Sequence, residues 1–241
     1  MTVCLVTCNG AVFLERQLLS ILQQTRAPDE IILVDDASED ATYEIGLSLL
    51  SEYKGEVTSV KHETRWGINK SFEHAINLAS GDVIAFSDQD DCWNSGRLET
   101  IHNKFSRSDT ELVLVNADIQ VDGVKNGKTV FDYYPPTSSF TKNFLKNRFT
   151  GCQMAVRNHL MASIDVMPPD HICYYDHYIS LIALLRGAPE IIEESQGAYF
   201  RHSSNVTNME KSRGLLTLLK ARLALGIFFL SKVGRHFNNR F

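Results

Sequence analysis

Short β-rich runs alternate with segments of helical period through the first ninety residues, and this alternation limits the architecture more than any other feature of the chain. Residues 3–7, 30–34, 57–61 and 82–87 read as strands. Residues 13–24, 41–53 and 70–79 carry apolar side chains at helical spacing, the first with Phe13, Leu14, Leu18, Ile21 and Leu22 on one face. Ser38 is placed to cap the second helix, and Gly81 to end the third. A β-α-β-α order implies an α/β fold, with a mostly parallel central sheet and helices on both faces. The second half is less regular. Residues 111–121 and 153–157 read as strands, 179–185 as helix, 190–199 as mixed, and 122–140 as a long loop with Pro135 and Pro136. From Lys211 the sequence turns basic and strongly apolar, as in an amphipathic helical tail.

Composition narrows the function classes. The 241 residues carry 24 Lys and Arg against 29 Asp and Glu, a formal charge of −5, which does not favour nucleic acid. Five cysteines, an odd number with no CxxC pair, argue against a disulfide framework or a zinc site and for a reducing compartment. The start MTVCLVTCNG reads as a first strand rather than a signal peptide, and no apolar run is long enough to span a membrane. The chain is therefore expected to be cytoplasmic.

In parallel α/β sheets ligands bind beyond the carboxyl ends of the strands. Three polar clusters fall there: Thr7-Cys8-Asn9-Gly10, Asp35-Asp36-Ala37-Ser38 and Asp88-Gln89-Asp90-Asp91. The first turn lacks GxGxxG, and GxxxxGK[ST] is absent, so phosphates need something other than a glycine cradle. Three close carboxylates repel one another unless a cation sits among them, and hard oxygen ligands suit Mg²⁺ or Mn²⁺. The same aspartates could instead serve the N-terminus of the helix that follows. A calcium EF-hand fails, because Trp93 sits where the sharp turn needs glycine and Cys92 replaces an oxygen ligand. The Asp35-Asp36 pair can accept a base imide N–H or merely favour a helix start.

Taken together, TCNG, VDDASED and GINKSFEHAINLASGDVIAFSDQDDCW resemble the inverting family 2 glycosyltransferases of the GT-A fold, a Rossmann-like architecture, in their bacterial rhamnosyltransferase-like branch. Tyr175-Asp176-His177 and YFRHSSNV resemble that branch's acidic helix and its closing segment, so the likeness covers residues 2–207. It implies a glycosyltransferase domain over 1–208 and a basic amphipathic tail over 209–241. It also implies an Mn²⁺- or Mg²⁺-dependent transfer from a UDP- or dTDP-sugar, dTDP-rhamnose among them, to a glycan or lipid-linked hydroxyl in surface polysaccharide synthesis. Thr7, Asn9, Asp35, Asp36 and Lys70 would hold the donor. Asp88 would serve donor or metal, Asp90 the metal, and His202 would complete the metal site. Asp176 matches the catalytic base, with Trp93 and Tyr175 on the acceptor side. Three positions depart from the family pattern. Cys8 replaces the usual tyrosine, no proline follows Trp93, and Tyr175 stands where histidine or glutamate is common before the base.

Two alternatives share parts of this pattern: another sugar-nucleotide enzyme such as a nucleotidyltransferase, and an inactive binding module that keeps the fold. The first generally needs a glycine-rich first turn, and the second does not account for intact Asp88, Asp90 and Asp176. The tail at residues 211–235 suits either the inner membrane surface, beside a lipid-linked acceptor, or packing on the domain or a second copy in a homodimer.

Overall fold

The computed structural model describes residues 1–121, 123–164, 166–202 and 215–237. Strands β1 (Thr2–Thr7), β2 (Glu30–Asp35), β3 (Glu56–Lys61) and β4 (Val83–Ser87) alternate with helices α1 (Ala11–Leu22), α2 (Thr42–Leu50) and α3 (Ile68–Leu78). These four strands are parallel in the order β3-β2-β1-β4. After β5 (Cys92–Trp93) and α4 (Arg97–Arg107) come β6 (Leu112–Val121), β7 (Val124–Thr129), α5 (Val130–Tyr133) and α6 (Phe140–Leu145). Then follow β8 (Met154–Arg157), α7 (Asn158–Met161), α8 (Tyr175–Arg186), β9 (Glu190–Arg201) and α9 (Leu215–Phe237). The sheet continues β4-β8-β6-β9-β5, with β8 antiparallel to both neighbours, β9 parallel to β6, and β7 a hairpin partner of β6.

Side chains alternate across a strand, and the sequence fills both faces. Cys4, Ile32, Val34, Ile84, Phe86, Leu112, Leu114, Met154 and Val156 point into one core, which α3, α8 and α9 cover. Val3, Leu5, Ile31, Leu33, Val83, Ala85, Val113, Val115 and Ala155 point into the other, which α1, α2 and α4 cover. Such two-sided burial forces the polar clusters out to the strand ends.

Several expectations need correction. Ser38 makes no cap to α2; its hydroxyl instead donates to Asp35. Gly81 does not end α3, whose last cap is Ala79. Residues 122–140 are not one long loop, because β7 and α5 lie within them. Gly123 lies between the paired Val121 and Val124 and has the positive φ of 80° that a tight hairpin requires. The segment 190–199 is strand throughout, within β9. The tail is partly settled: α9 sets Leu225 and Phe229 into the core with Phe140 and Tyr178. The 208/209 boundary falls outside the described residues. All five cysteines are free, and among the described residues no helix is long and apolar enough to cross a membrane.

Candidate active site

The carboxyl ends of β1, β2 and β4 meet at one edge of the sheet, and three loops are tied together there. Asp35 is fully buried and accepts from Thr7 Oγ1 at 2.8 Å, Ser38 N at 2.8 Å and Ser38 Oγ at 2.6 Å. Asn9 N donates to Ser38 Oγ at 2.8 Å, and Asn9 Oδ1 accepts from Glu39 N at 2.9 Å. Asn9 and Ala37 both take positive φ, 49° and 56°. Asparagine tolerates that region, whereas alanine meets steric cost there, and such cost persists only where neighbouring bonds over-determine the turn. Asp36 is 6% exposed, and its carboxylate accepts from Trp66 N at 2.7 Å and Gly67 N at 3.0 Å and meets His62 Nδ1 at 3.1 Å. Burial opposes its charge, but these hydrogen bonds together outweigh burial and hold its pKa below the usual carboxylate range. Thr7, Asp35 and Asp36 thus bind one another's loops, and of this group Asn9 alone is exposed.

Above Asp36 lies an aromatic stack that the sequence did not announce. His62 Nε2 meets His74 Nδ1 at 3.0 Å, and the Trp66 indole stacks on His62 with centroids 3.9 Å apart. Trp66 is 48% exposed, so the indole face turned away from His62 meets solvent. Arg65, next in the chain, is near enough for its charge to act on the Cys8 thiol, whose pKa burial nevertheless raises. Lys70 is exposed in the first turn of α3. The two leading amides of that turn, Ile68 N and Asn69 N, both donate to Asp170 at 3.1 Å rather than facing a phosphate. Gly67 permits this docking: its φ is 88°, and a Cβ there would meet Asp170 at 2.5 Å.

The third loop is anchored through Gln89. Its side chain accepts from Cys8 N at 2.8 Å and donates to Cys8 O at 3.0 Å, and a Cβ on Gly10 would overlap it at 2.2 Å. Arg16 of α1 donates to the carbonyls of Asp90 and Asp91 and lies 3.5 Å over the Phe200 ring. Asp90 Oδ2 and His202 Nε2 are 2.9 Å apart, and His202 stacks on Phe13 at 4.2 Å. The metal reading therefore has two of its three residues in contact. Burial, followed by the charges of Asp90, Asp91 and Asp176, raises the Asp88 pKa well above normal. Burial and Asp90 push Asp91 up to about 7. Crowded carboxylates with this excess of negative charge, beside one imidazole, suit a hard divalent cation. Among the described residues, no group of three His, Cys, Asp or Glu side chains is arranged to hold a metal ion.

Behind this loop sits a fully buried cation. Burial lowers the Arg97 pKa to about 10. Its guanidinium lies 4.3 Å over the Trp93 ring and donates to Gln153 Oε1 at 3.0 Å and to Cys152 O. Trp93 is 4% exposed beneath it, a core position rather than an acceptor-facing one. Arg97→Met should cost about 3 kcal/mol, because it strands two buried acceptors and leaves Asp91 without its nearest positive charge. Urea denaturation would read this, and a loss under half that size would mean that water replaces the guanidinium.

Asp176 lies in the first turn of α8, close enough for its charge to act on Asp88. Burial pushes its pKa up to about 6, although His177 N, the Asn147 side chain and the Gly151 backbone hydrogen-bond to its charged form. Tyr175, beside it, is 3% exposed and stacks on Phe72 at 3.8 Å, so it too is a core residue. Asn69 fixes the start of α8 to α3: its side chain accepts from Tyr175 N at 2.6 Å and donates to Pro168 O at 2.6 Å and Cys173 O at 2.7 Å. The structure thus brings Asp90 and Asp176 near Asp88 and His202 against Asp90, while Thr7, Asp35 and Asp36 lie buried in the neighbouring loops, with Asn9 exposed. Residues 203–206 of the closing segment lie outside the described residues. A separate cavity of about 680 Å³ lies at the opposite end of β4 and β8, where Arg157 already donates to the carbonyls of Phe105, Ser108 and Thr110.

Comparison with known proteins bears on the fold and the family. A glucosyltransferase of Escherichia coli, named for UDP-Glc and α-D-GlcNAc-diphosphoundecaprenol, is 25% identical over 174 residues, covering 72% of this chain and 66% of that protein. An uncharacterised glycosyltransferase of Nostoc sp. is 33% identical over 122 residues, 51% of this chain and 37% of that one. The S. aureus TarS fragment 1–349, crystallised with UDP-GlcNAc, superimposes with a TM-score of 0.73 at 18% identity, over 96% of this chain and 66% of that one. The mannosyltransferase PcManGT of Pyrobaculum calidifontis, in complex with GDP-Man and Mn²⁺, gives 0.64 at 19%, over 94% and 63%. The chain thus spans 37–66% of the length of these relatives. The sequence pattern of glycosyl transferase family 2 matches residues 2–168, and the sheet order and helix layers are those of the GT-A fold; the chain belongs to glycosyl transferase family 2.

Proposed function

We propose that this protein transfers a sugar, with inversion, from a pyrimidine nucleoside-diphosphate sugar (UDP- or dTDP-linked, dTDP-rhamnose included) to a hydroxyl of a glycan or lipid-linked acceptor in surface polysaccharide synthesis. The observation that carries the reading is the nearness of two carboxylate systems: Asp176 on α8 is close enough for its charge to act on Asp88, which stands with Asp90 after β4. The named donors of two relatives, UDP-Glc and UDP-GlcNAc, support a uridine donor, and the diphosphoundecaprenol of one supports a lipid-linked acceptor.

Asp176 is the catalytic residue. Its raised pKa makes it a better proton acceptor than an exposed aspartate while leaving it ionised at neutral pH. Its carboxylate takes the acceptor hydroxyl proton as that oxygen bonds to the anomeric carbon, and the bond to the nucleoside diphosphate breaks on the opposite face. Asn147 and the Gly151 backbone hold the carboxylate in place during this step. Asp88, Asp90 and His202 would hold Mn²⁺ or Mg²⁺, which would supply positive charge to the departing diphosphate. Arg65, whose charge reaches Cys8, and Lys70, in the first turn of α3, are exposed cations and are assigned to the diphosphate. Asp35 and Asp36, with their oxygens committed to the loops, act by shaping the donor pocket with Thr7 and Asn9. Trp66 supplies the aromatic face for the base that Cys8 does not.

The test uses fluorescence. The chain has two tryptophans, and Trp93 is shielded, so a base stacking on Trp66 should quench most of the exposed indole signal. UDP or dTDP is expected to quench it saturably. Trp66→Ala should remove the quench and raise Kd about 10-fold, in the range for one base–aromatic stack, while Trp66→Phe keeps most of the affinity. If no nucleoside diphosphate quenches Trp66 or raises the melting temperature, the transferase reading is wrong.

A further inference from the structure

Among its described side chains, helix α9 carries one packed apolar row and one exposed apolar row. Leu225 and Phe229 are 0% and 7% exposed, Phe144 lies beside Gly226, and Arg222 Nε donates to Leu145 O at 2.9 Å. These positions, at spacings of three and four, seat the helix on α6 and on Tyr178 of α8. A second row, Leu219, Leu223, Ile227 and Leu230, is 58%, 67%, 62% and 76% exposed. Its spacings of four, four and three keep it on one line, which runs about 16 Å along the helix and lies about 100° around it from the seated face. A helix that only packed on the domain would have polar residues in that row.

The charge around this row is one-sided. Residues 211–241 hold seven of the 24 basic residues and none of the 29 acidic ones, so the remainder carries 17 basic against 29 acidic. The neighbouring α6 continues the pattern. Leu145 is 62% exposed between the exposed Lys142 and Lys146, and residues 133–164 contain no Asp or Glu. Lys220, also exposed, adjoins Leu219 in the row. An apolar stripe framed by lysines and free of carboxylates is complementary to an anionic lipid surface, where leucines enter the acyl boundary and lysines meet headgroups. Pairing with a second α9 would bring like charges together.

We infer that the α6–α9 face docks on an anionic membrane surface, with the Leu219-Leu223-Ile227-Leu230 row inserted and Lys142, Lys146 and Lys220 on headgroup phosphates. The platform is bolted to the catalytic helix: Asn143 Nδ2 donates to Ser180 Oγ at 2.9 Å, and His177 Nε2 meets Asn143 O at 2.7 Å. Docking would therefore hold the Asp176 end of α8 at a fixed position relative to the bilayer, as a lipid-linked acceptor needs. That last link rests on the transferase reading; the docking itself does not.

Co-sedimentation of the full chain with phosphatidylcholine vesicles, with and without about a third phosphatidylglycerol, tests this. Binding is expected to the anionic vesicles, to weaken at least 10-fold from low to high salt, and to be lost in Leu223→Gln/Ile227→Gln. That double variant alters exposed side chains only, so its Trp66 quench by UDP should match wild type, which separates failure of docking from failure of the donor site. A wild-type chain that ignores anionic vesicles at low salt overturns the inference. So does a double variant that still binds them, or one whose only change is from dimer to monomer in sedimentation velocity.

Discussion

Asp176→Asn should lower turnover at least about 100-fold while leaving UDP affinity within a factor of two, because the amide keeps the shape of the carboxylate but accepts no proton. The wild-type rate should fall about tenfold per pH unit below about 6, the value to which burial raises Asp176, and the variant should lack that limb. The same substitution should stabilise the protein. A carboxyl with a folded-state pKa near 6 and an unfolded value near 3.8 binds more protons folded than unfolded between those values. Stability therefore falls as pH rises through that window, and the cost persists above it. A neutral isostere removes a cost of up to about 3 kcal/mol at pH 7, so the melting temperature should rise. A variant that loses both activity and stability would make Asp176 a structural residue.

Asp90→Ala is expected to be equally damaging to turnover, by about 10³-fold, through loss of stabilisation of the departing diphosphate. Here too the fold should survive, since Asp90 is one of the charges that press on Asp88 and Asp91 and its removal relieves both. The informative readout is the response to Mn²⁺. In the wild type Mn²⁺ should tighten UDP binding to Trp66, and in the variant it should not. Undiminished wild-type turnover in excess EDTA would exclude the cation from the reaction.

The parallel half of the sheet was legible because two-sided burial writes near-continuous apolar runs, as in EIILVD and DVIAFS, and these leave little choice of register. The hairpin of β6 and β7 was missed because β7, VKNGKT, is an exposed edge strand with almost no apolar signal. The Asp-Gly dipeptide was the cue. At the site, the carboxylates stood out because their clustering is chemically costly. Gln89, Arg16 and Asn69 did not, since a polar side chain that ties two loops together is defined by partners up to 106 positions away. Trp93 and Tyr175 show the converse error. An aromatic next to an acidic motif reads as a ligand surface, yet both fill the core beneath it. The tail was open between membrane and protein because its two apolar rows overlap in sequence, and only the contacts of Leu225 and Phe229 show which row is already used.

Inverting transfer with Asp176 as base can be followed by a ¹H NMR time course. The anomeric proton of a nucleoside-diphosphate sugar, in a panel of UDP- and dTDP-sugars with Mn²⁺ and polyprenyl-diphosphate-sugar acceptors in anionic vesicles, would be followed for wild type and Asp176→Asn. Wild type is expected to consume at least one donor and to yield a glycoside of opposite anomeric configuration, and the variant to do neither at a comparable rate. A product that keeps the donor configuration, or equal rates for the two proteins, would contradict this mechanism.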